Sequence, residues 1–188
     1  IGKDKNTDIL LSELKKRKIN IQGVFVDPKR HTTVKTRIIA GHQQVVRVDW
    51  EHVDALSREL NQKIFTFIKK NIDDFQAVII EDYGKGVINP QLLEKLISLS
   101  HDHKKIITVD PKEEHFQYYK GVTSITPNCR ELENAIRNLK IKDTTHRFKL
   151  NNDRLFTDKD INLAAQEIIK YLSLESLLVT LSEQGMRL

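Results

Sequence analysis

Cysteine, apolar runs of membrane length and secretion signals are scarce or absent in this sequence. Cys129 is the one cysteine among 188 residues, which excludes an internal disulfide and is typical of a reducing compartment. No apolar run approaches the roughly 18 to 20 residues that a membrane-spanning helix requires, and no charged start precedes an apolar block. These features predict a cytoplasmic protein without a membrane partner.

The excess of positive over negative charge is also small. The 31 lysine and arginine residues are nearly balanced by 26 acidic residues, which leaves a net charge of +5, and the basic residues are scattered. The densest basic cluster, residues 15–18, ends a helical pattern, where cations complement the helix dipole. A nucleic-acid partner needs a clustered basic face with exposed aromatic side chains, so no such partner is predicted.

The sequence does contain enough apolar residues for a sizeable core, and they follow two alternating patterns. Hydrophobic residues make up 39% of the chain. Short apolar runs typical of buried strands lie at residues 23–26, 77–81, 106–109, 124–126 and 177–181. Longer stretches with three- and four-residue apolar spacing, typical of helices, lie at residues 8–18, 53–70, 90–97 and 158–172. The alternation predicts an α/β sandwich with a mainly parallel sheet.

Two segments depart from this alternation. Residues 32–49 alternate with a period of two on both sides of a turn at Gly41 and His42, which predicts an antiparallel hairpin with one apolar face. Such a face has to cover a substrate, a partner subunit or both. Residues 140–158 are polar and follow neither period, which predicts a mobile surface insertion.

Polar residues and glycines follow the predicted parallel strands. In open α/β sheets the ligand lies at the carboxyl ends of the strands, so these positions are the candidate site. The strand-end sequences are DYGKG from Asp82, DPK from Asp110, TPNCRE from Thr126 and TLSEQG from Thr180. Glycines there let backbone N–H groups approach an anion, and the lysines supply positive charge.

Each of these motifs has a simpler interpretation when it is taken alone. DYGKG and DPK are compatible with ordinary turns, and Asn128 with Glu131 is compatible with a plain helix cap. Their order after successive strands favours a shared function, which we interpret as the handling of phosphate groups.

The series TTVKTRIIAGHQQVVRVDWE, EDYGKGV, VDPK, ITPNCRELE and LLVTLSEQGM resembles the ribokinase or PfkB superfamily of sugar kinases. Within it, QQVVRVDWE and DYGKG resemble most the subgroup of heptose 7-phosphate kinases. The resemblance implies a ribokinase-like three-layer α/β/α sandwich with a β-hairpin lid. It also implies transfer of phosphate from ATP, with Mg²⁺, to the anomeric hydroxyl of D-glycero-D-manno-heptose 7-phosphate, in ADP-heptose biosynthesis for lipopolysaccharide.

The resemblance also implies roles for individual residues. Glu131 is expected to act on Mg²⁺ indirectly, through water, because Mg²⁺ keeps several of its waters. The lid, residues 32–49, is expected to close over the sugar and to join two subunits into a homodimer. The residues expected to bind ATP are Asn128, Glu131, Thr180, Ser182 and Gly185. The residues expected to bind the sugar phosphate are Lys35, Arg37, Arg47, Asp82, Lys85, Asp110 and Lys112.

The chain departs from the superfamily pattern in three places. The GAGD motif, whose aspartate is the catalytic base, does not occur, and we expect it beyond Leu188 together with the adenine-binding part. The sugar-binding motif is expected before Ile1. We therefore expect an incomplete kinase domain over residues 1–188 that is inactive alone. The polar stretch at residues 140–158 is longer than expected for the subgroup.

Two other functions fit the same residues. The first is a PfkB-type kinase for another sugar or sugar phosphate. The second is a non-catalytic relative that binds a sugar phosphate.

Overall fold

The computed structural model of the protein describes residues 1–144, 148, 154–155 and 157–188. The chain divides into two compact units. Unit 1 consists of Ile1–Lys70 and Lys85–Asn89, and unit 2 consists of Asn71–Gly84 and Pro90–Leu188. None of the helices in the described part of the chain combines the length and the apolar character that crossing a bilayer requires.

Unit 1 contains two helices and the predicted hairpin. The elements are α1 (Lys5–Lys16), β1 (Val34–Ala40), β2 (Gln43–Trp50) and α2 (Arg58–Asn71), whose last residue is the first of unit 2. Asp4 caps α1 by accepting a hydrogen bond from the Thr7 amide, so the helix begins before the predicted residue 8.

The hairpin is confirmed, and its register separates two faces. Lys35 lies opposite Asp49 and Arg37 opposite Arg47, so these charged side chains share one face. The other face carries cross-strand pairs of mostly apolar residues: Val34 with Trp50, Thr36 with Val48, and Ile38 with Val46. A bulge between Ile38 and Ile39 shifts the register near the turn.

Two predictions for unit 1 are wrong. Residues 23–26 do not form a strand, because their backbone finds no continuous neighbour: the Phe25 carbonyl accepts from Ile1, and the Val24 amide donates to Ile21 within a turn. Helix α2 starts at Arg58 rather than at residue 53, because the Ser57 side chain accepts from the Leu60 amide and caps the helix there.

Unit 2 is built on a parallel sheet with strand order β3-β4-β5-β6. Its strands are β3 (Ala77–Glu81), β4 (Ile106–Asp110), β5 (Ser124–Ile125) and β6 (Ser176–Leu177). Its helices are α3 (Pro90–Asp102), α4 (Cys129–Lys142) and α5 (Asp158–Leu172), with short 3₁₀ helices at Ile72–Asp74, Glu113–Tyr118 and Ser182–Gln184. A last hairpin pairs β7 (Val179–Thr180) with β8 (Met186–Arg187). The predicted α/β architecture is confirmed.

The core of unit 2 lies between the sheet and the helices. Ile107, Val109 and Ile125 of the sheet are fully buried, as are Leu93 of α3 and Ile168 of α5. Burying each aliphatic side chain of this size contributes about 1.5–3 kcal/mol, so these contacts fix the strand ends that carry the candidate site.

The predicted strand at residues 177–181 is divided in the structure. Leu177 ends β6 in the parallel sheet, and Val179 begins β7, which pairs antiparallel with β8. The predicted insertion at residues 140–158 falls partly outside the described residues. Its first three residues belong to α4, and α5 begins at its last residue, Asp158.

Candidate functional site

The carboxyl ends of β3 and β4 lie side by side in unit 2. Glu81 and Asp110 are register partners at the last positions of the two strands, and the Asp82 amide donates to the Asp110 carbonyl at 3.1 Å. Partial desolvation and the neighbouring Asp110 carboxylate raise the pKa of Glu81. Two carboxyl groups therefore share this part of the sheet edge.

Asp82 is turned into the protein. Its side chain is 1% exposed, and its carboxylate accepts hydrogen bonds from the Gly84 amide at 2.9 Å, His115 Nδ1 at 2.8 Å and the Tyr119 hydroxyl at 2.8 Å. A buried carboxylate requires such donors, because an unsatisfied charge in the interior is costly. Sequence reasoning missed His115 and Tyr119, whose only signal was the aromatic run HFQYY after the DPK motif.

Lys112 is held at three points. Its amide donates to the Tyr119 hydroxyl at 2.9 Å, and its ammonium lies 3.3 Å from a Glu114 oxygen. Its methylene groups lie over Gly84, where an added Cβ would come within 3.3 Å of them. Gly84 also has a φ of +64°, so the turn requires glycine for both reasons.

Asn128 and Glu131 form a capping box at the start of α4. The Asn128 side chain accepts from the Glu131 amide at 2.9 Å, and Glu131 Oε2 accepts from the Asn128 amide at 2.8 Å. This reciprocal pair fixes both side chains at an exposed helix N-terminus, where the dipole favours anions.

The turn at residues 180–185 lies beside this helix start. Thr180 forms a parallel bridge with Asn128, and its amide donates to the Pro127 carbonyl at 2.9 Å. Ser182 and Gly185 both have positive φ, +53° and +86°, so the backbone makes a sharp turn immediately after β7. The structure thus brings together the two segments that carry the predicted ATP-binding residues.

Mg²⁺ is compatible with this arrangement as an ion held largely by phosphate and water. Among the described residues there is no group of three or more His, Cys, Asp or Glu side chains that could hold a metal ion. Glu131 commits one carboxylate oxygen to the capping box, which leaves the other for a water-mediated contact. Mg²⁺ typically uses one or two protein carboxylates, so the donor set fits an indirect role of Glu131.

The other four predicted substrate residues lie in unit 1, and three of them are paired with carboxylates. Lys35 and Arg47 contact Asp49 at 3.0 and 2.9 Å, and Lys85 pairs with Glu51. Arg37 makes no ion pair with any described residue. It is therefore the cation of the set that is immediately available to an anionic ligand.

Unit 1 also contains a cavity of ≈ 510 Å³ that Lys85 lines. The rings of His31 and His52 contact each other at its wall, with centroids 4.2 Å apart and planes tilted by 57°, and His52 Nδ1 is buried without a hydrogen-bond partner among the described residues. Arg30, also in the wall, is paired with Asp27 at 3.3 Å and donates to the Lys85 carbonyl at 3.0 Å. The sequence signal for this cluster was the polar run DPKRHTT before the hairpin.

Gly86 closes the DYGKG turn by a close backbone approach. Its φ is +77°, and an added Cβ would lie 1.9 Å from the Asp54 carbonyl oxygen, so no other residue fits there. The Gly86 carbonyl in turn accepts from the Leu56 amide at 3.0 Å. The two glycines of the motif therefore serve different contacts.

Comparison with known proteins gives one family. The family model described as pfkB family carbohydrate kinase matches residues 1–188. The bifunctional protein HldE of Helicobacter pylori (strain HPAG1) is 38% identical over 185 residues, which are 98% of this chain and 37% of that protein. The bifunctional protein HldE of Geobacter metallireducens is 34% identical over 188 residues, or 100% of this chain and 35% of that protein.

Solved structures share the fold at low identity. The tetrameric inhibited form of phosphofructokinase-2 from Escherichia coli is 18% identical with a TM-score of 0.67, over 98% of this chain and 56% of that chain. The structure named Sa239 is 14% identical with a TM-score of 0.69, over 99% of this chain and 55% of that chain. The curated HldE relatives are longer than this chain, which spans about a third of their length.

Proposed function

Because the chain belongs to the pfkB family of carbohydrate kinases, we propose that it is part of an ATP-dependent kinase for a heptose 7-phosphate. The anomeric hydroxyl oxygen attacks the γ-phosphorus of ATP, the bond to ADP breaks, and the hydroxyl proton passes to a base. The product is the 1,7-bisphosphate. We propose the heptose phosphate as the acceptor because QQVVRVDWE and DYGKG resemble the heptose kinase subgroup.

The observation that carries the ATP part of this proposal is the bridge between Asn128 and Thr180. Phosphoryl transfer depends mainly on positioning and on electrostatic stabilisation. The start of α4, where the helix dipole favours anions, lies beside the turn at Ser182 and Gly185, and this arrangement suits the phosphates of a nucleotide. Bound Mg²⁺ would neutralise charge on those phosphates, with Glu131 acting through water.

In unit 1 we propose that the hairpin cations bind the phosphate already present on the sugar. Arg37 is the leading candidate, since Lys35, Arg47 and Lys85 each have a carboxylate partner with which a substrate would compete. The guanidinium fork matches a phosphate in a bidentate geometry. The position of Lys85 in the wall of the cavity supports a substrate contact for this lysine as well.

In unit 2 we propose that Asp110 and Lys112 act on the acceptor side of the reaction. Asp110 is the last residue of β4 and Lys112 lies two residues further on, at the carboxyl edge of the parallel sheet. Lys112 supplies the positive charge and Asp110 a hydrogen-bond acceptor for sugar hydroxyls.

We also propose that the apolar face of the hairpin pairs with a second copy of this chain. Ile38, Val46 and Trp50 on that face are 50%, 44% and 61% exposed. Exposed apolar side chains that share one face of a two-stranded sheet are typical of an interaction surface. A self-complementary contact between two such faces would produce a two-fold symmetric dimer.

The first test is an ADP-release assay on the full-length gene product with ATP and Mg²⁺. The acceptors are heptose 7-phosphate, fructose 6-phosphate and ribose. Turnover confined to the heptose phosphate is the expected result. Preference for fructose 6-phosphate or ribose would contradict the proposed acceptor, and a folded protein that turns over none of them would contradict the kinase assignment and favour a non-catalytic sugar-phosphate-binding protein.

A further inference from the structure

The Asp82 carboxylate has little capacity left for a ligand. Oδ1 accepts from the Gly84 amide, and Oδ2 accepts from both His115 Nδ1 and the Tyr119 hydroxyl. A carboxylate only accepts hydrogen bonds, so the His115 nitrogen facing it carries the proton. With a side chain that is 1% exposed, Asp82 is enclosed by residues of its own unit.

Tyr119 connects this buried carboxylate to Lys112. The tyrosine is fully buried, its hydroxyl donates to Asp82, and the same oxygen accepts from the Lys112 amide. Burial and the neighbouring Asp82 raise the pKa of Tyr119 far above its ordinary value, so the hydroxyl keeps its proton. An amide N–H only donates and a carboxylate only accepts, so the two short hydrogen bonds run from the Lys112 amide through Tyr119 to Asp82, and the hydroxyl makes a longer contact of 3.4 Å with the Lys112 carbonyl.

The same carboxylate also fixes the surface on which the Lys112 side chain rests. Asp82 accepts from the Gly84 amide, and the Lys112 methylenes lie over Gly84. Asp82 thus controls both the backbone of Lys112 and the turn beneath its side chain.

We propose that Asp82 and Tyr119 are positioning residues that hold Lys112 in place for the acceptor, and that Asp82 itself does not contact the substrate. The inference rests on the proposed function, in which Lys112 acts on the acceptor side. A displacement of about 1 Å in a positioned group lowers the rate by up to about a hundredfold. Rigid support of Lys112 would therefore increase the rate of phosphoryl transfer.

The kinetic test is a double-mutant cycle in the full-length protein. Tyr119→Phe removes the hydroxyl and keeps the ring, and we expect it to lower kcat/KM for heptose 7-phosphate about tenfold, as expected for one lost hydrogen bond to a charged group. In a Lys112→Ala background the same change should have no further effect. Tyr118→Phe, the same chemical change at the neighbouring exposed residue, is the matched control and should leave kcat/KM unchanged.

Equal losses from Tyr119→Phe in both backgrounds would overturn the inference and leave Tyr119 with a structural role only. Asp82→Asn, which keeps the shape of the side chain, provides a second route to the same coupling if the tyrosine variant does not fold. Its effect on kcat/KM should likewise disappear in the Lys112→Ala background.

A second readout does not depend on kinase activity. In the full-length protein the Lys112 amide should exchange its hydrogen at least about tenfold faster in Tyr119→Phe than in wild type, and at the wild-type rate in Tyr118→Phe. An unchanged exchange rate would overturn the inference even in an active kinase. If wild type phosphorylates no sugar, the proposed function fails, while the exchange experiment still decides whether Tyr119 holds Lys112.

Discussion

Two carboxyl groups, Asp4 and Glu81, respond to pH in opposite directions. Asp4 accepts hydrogen bonds from the amides of Thr32 at 2.6 Å and Thr7 at 3.1 Å, and these donors lower its pKa. The pKa of Glu81 is raised by desolvation and by Asp110. Proton linkage then gives each residue a distinct contribution to stability.

The Glu81→Gln variant should become more stable relative to wild type as pH rises. Because the folded protein binds this proton more tightly than the unfolded chain does, wild type loses stability as pH rises from the ordinary value of 4.5 through the folded pKa of Glu81. Gln keeps the size of the side chain and removes the charge next to Asp110. Denaturant unfolding of both proteins between pH 4 and pH 8 measures the difference, and a pH-independent difference would contradict the assignment.

The Asp4→Asn variant should show the reverse pattern. The lowered pKa of Asp4 stabilises the folded state above the ordinary value of 3.8, and this contribution disappears as pH falls through the folded pKa. Wild type should therefore be more stable than the variant at pH 6, and the difference should shrink as pH falls below 3.8. The same unfolding series tests it, and a gap that persists at the lowest pH would count against these hydrogen bonds.

Arg37 offers a test of substrate binding at the level of one side chain. We expect Arg37→Ala to raise KM for heptose 7-phosphate about tenfold, as the loss of one charge-assisted contact would, with a smaller change in kcat. Arg58→Ala, which removes an exposed arginine at the start of α2, is the matched control. Steady-state kinetics of the full-length protein decides, and equal KM values for both variants would exclude the phosphate contact.

For single residues, the sequence predicted which side chains lie at strand ends better than it predicted which side chains contact each other. It located Asp82 and Lys112 at strand ends, which follows from the apolar runs before them. It could not predict that His115 and Tyr119 enclose Asp82, because these residues lie 33 and 37 positions away and meet it only once the sheet has formed.

At the scale of elements, α4 and α5 begin with the same device. Asn128 with Glu131, and Thr157 with Asp160, form capping boxes at their N-termini. The sequence predicted the cap at Asn128 from residue types alone, since both polar side chains bond locally. Only the cap at Asn128 lies beside the turn at Thr180.

Removing each cap in turn should distinguish a loss of stability, expected for both caps, from a loss of ATP binding, expected for the cap at Asn128 alone. Asn128→Ala and Thr157→Ala should each lower the free energy of unfolding by about 1 kcal/mol, the usual cost of a lost N-cap. Only Asn128→Ala should also raise KM for ATP in the full-length kinase. Chemical denaturation and ATP titrations test the two parts, and a similar rise in KM for Thr157→Ala would mean that the effect comes from stability alone.

Elements were predicted well where local pattern and packing agree. α5 has the predicted bounds, because its apolar residues Ile161, Ile168 and Leu172 lie on the buried face. β3 also has the predicted bounds, although Ile80 is its one buried residue and Ile79 is 70% exposed. Residues 23–26 have the apolar composition of a strand, but strand formation also depends on a neighbouring backbone, which local composition does not reveal.

At the scale of the whole molecule, the hairpin face is the feature that bears on assembly. Trp50→Glu places a charge on this face, and we expect it to weaken self-association at least about tenfold, since a buried interface tolerates unpaired charge poorly. Ile141→Glu, at another apolar residue that is 78% exposed, is the matched control. Light scattering over a concentration series measures the effect, and a dimer that both variants leave intact would place the interface elsewhere.

The order of the segments along the chain constrains how the two units can fold during synthesis. Unit 1 is discontinuous, and its last segment, Lys85–Asn89, is made only after β3 of unit 2. That segment supplies the ion pair to Glu51 and the hydrogen bond to Leu56. A chain emerging from the ribosome therefore cannot finish its first unit before it has begun its second, and a nascent chain that stalls before Lys85 would carry unit 1 without these contacts.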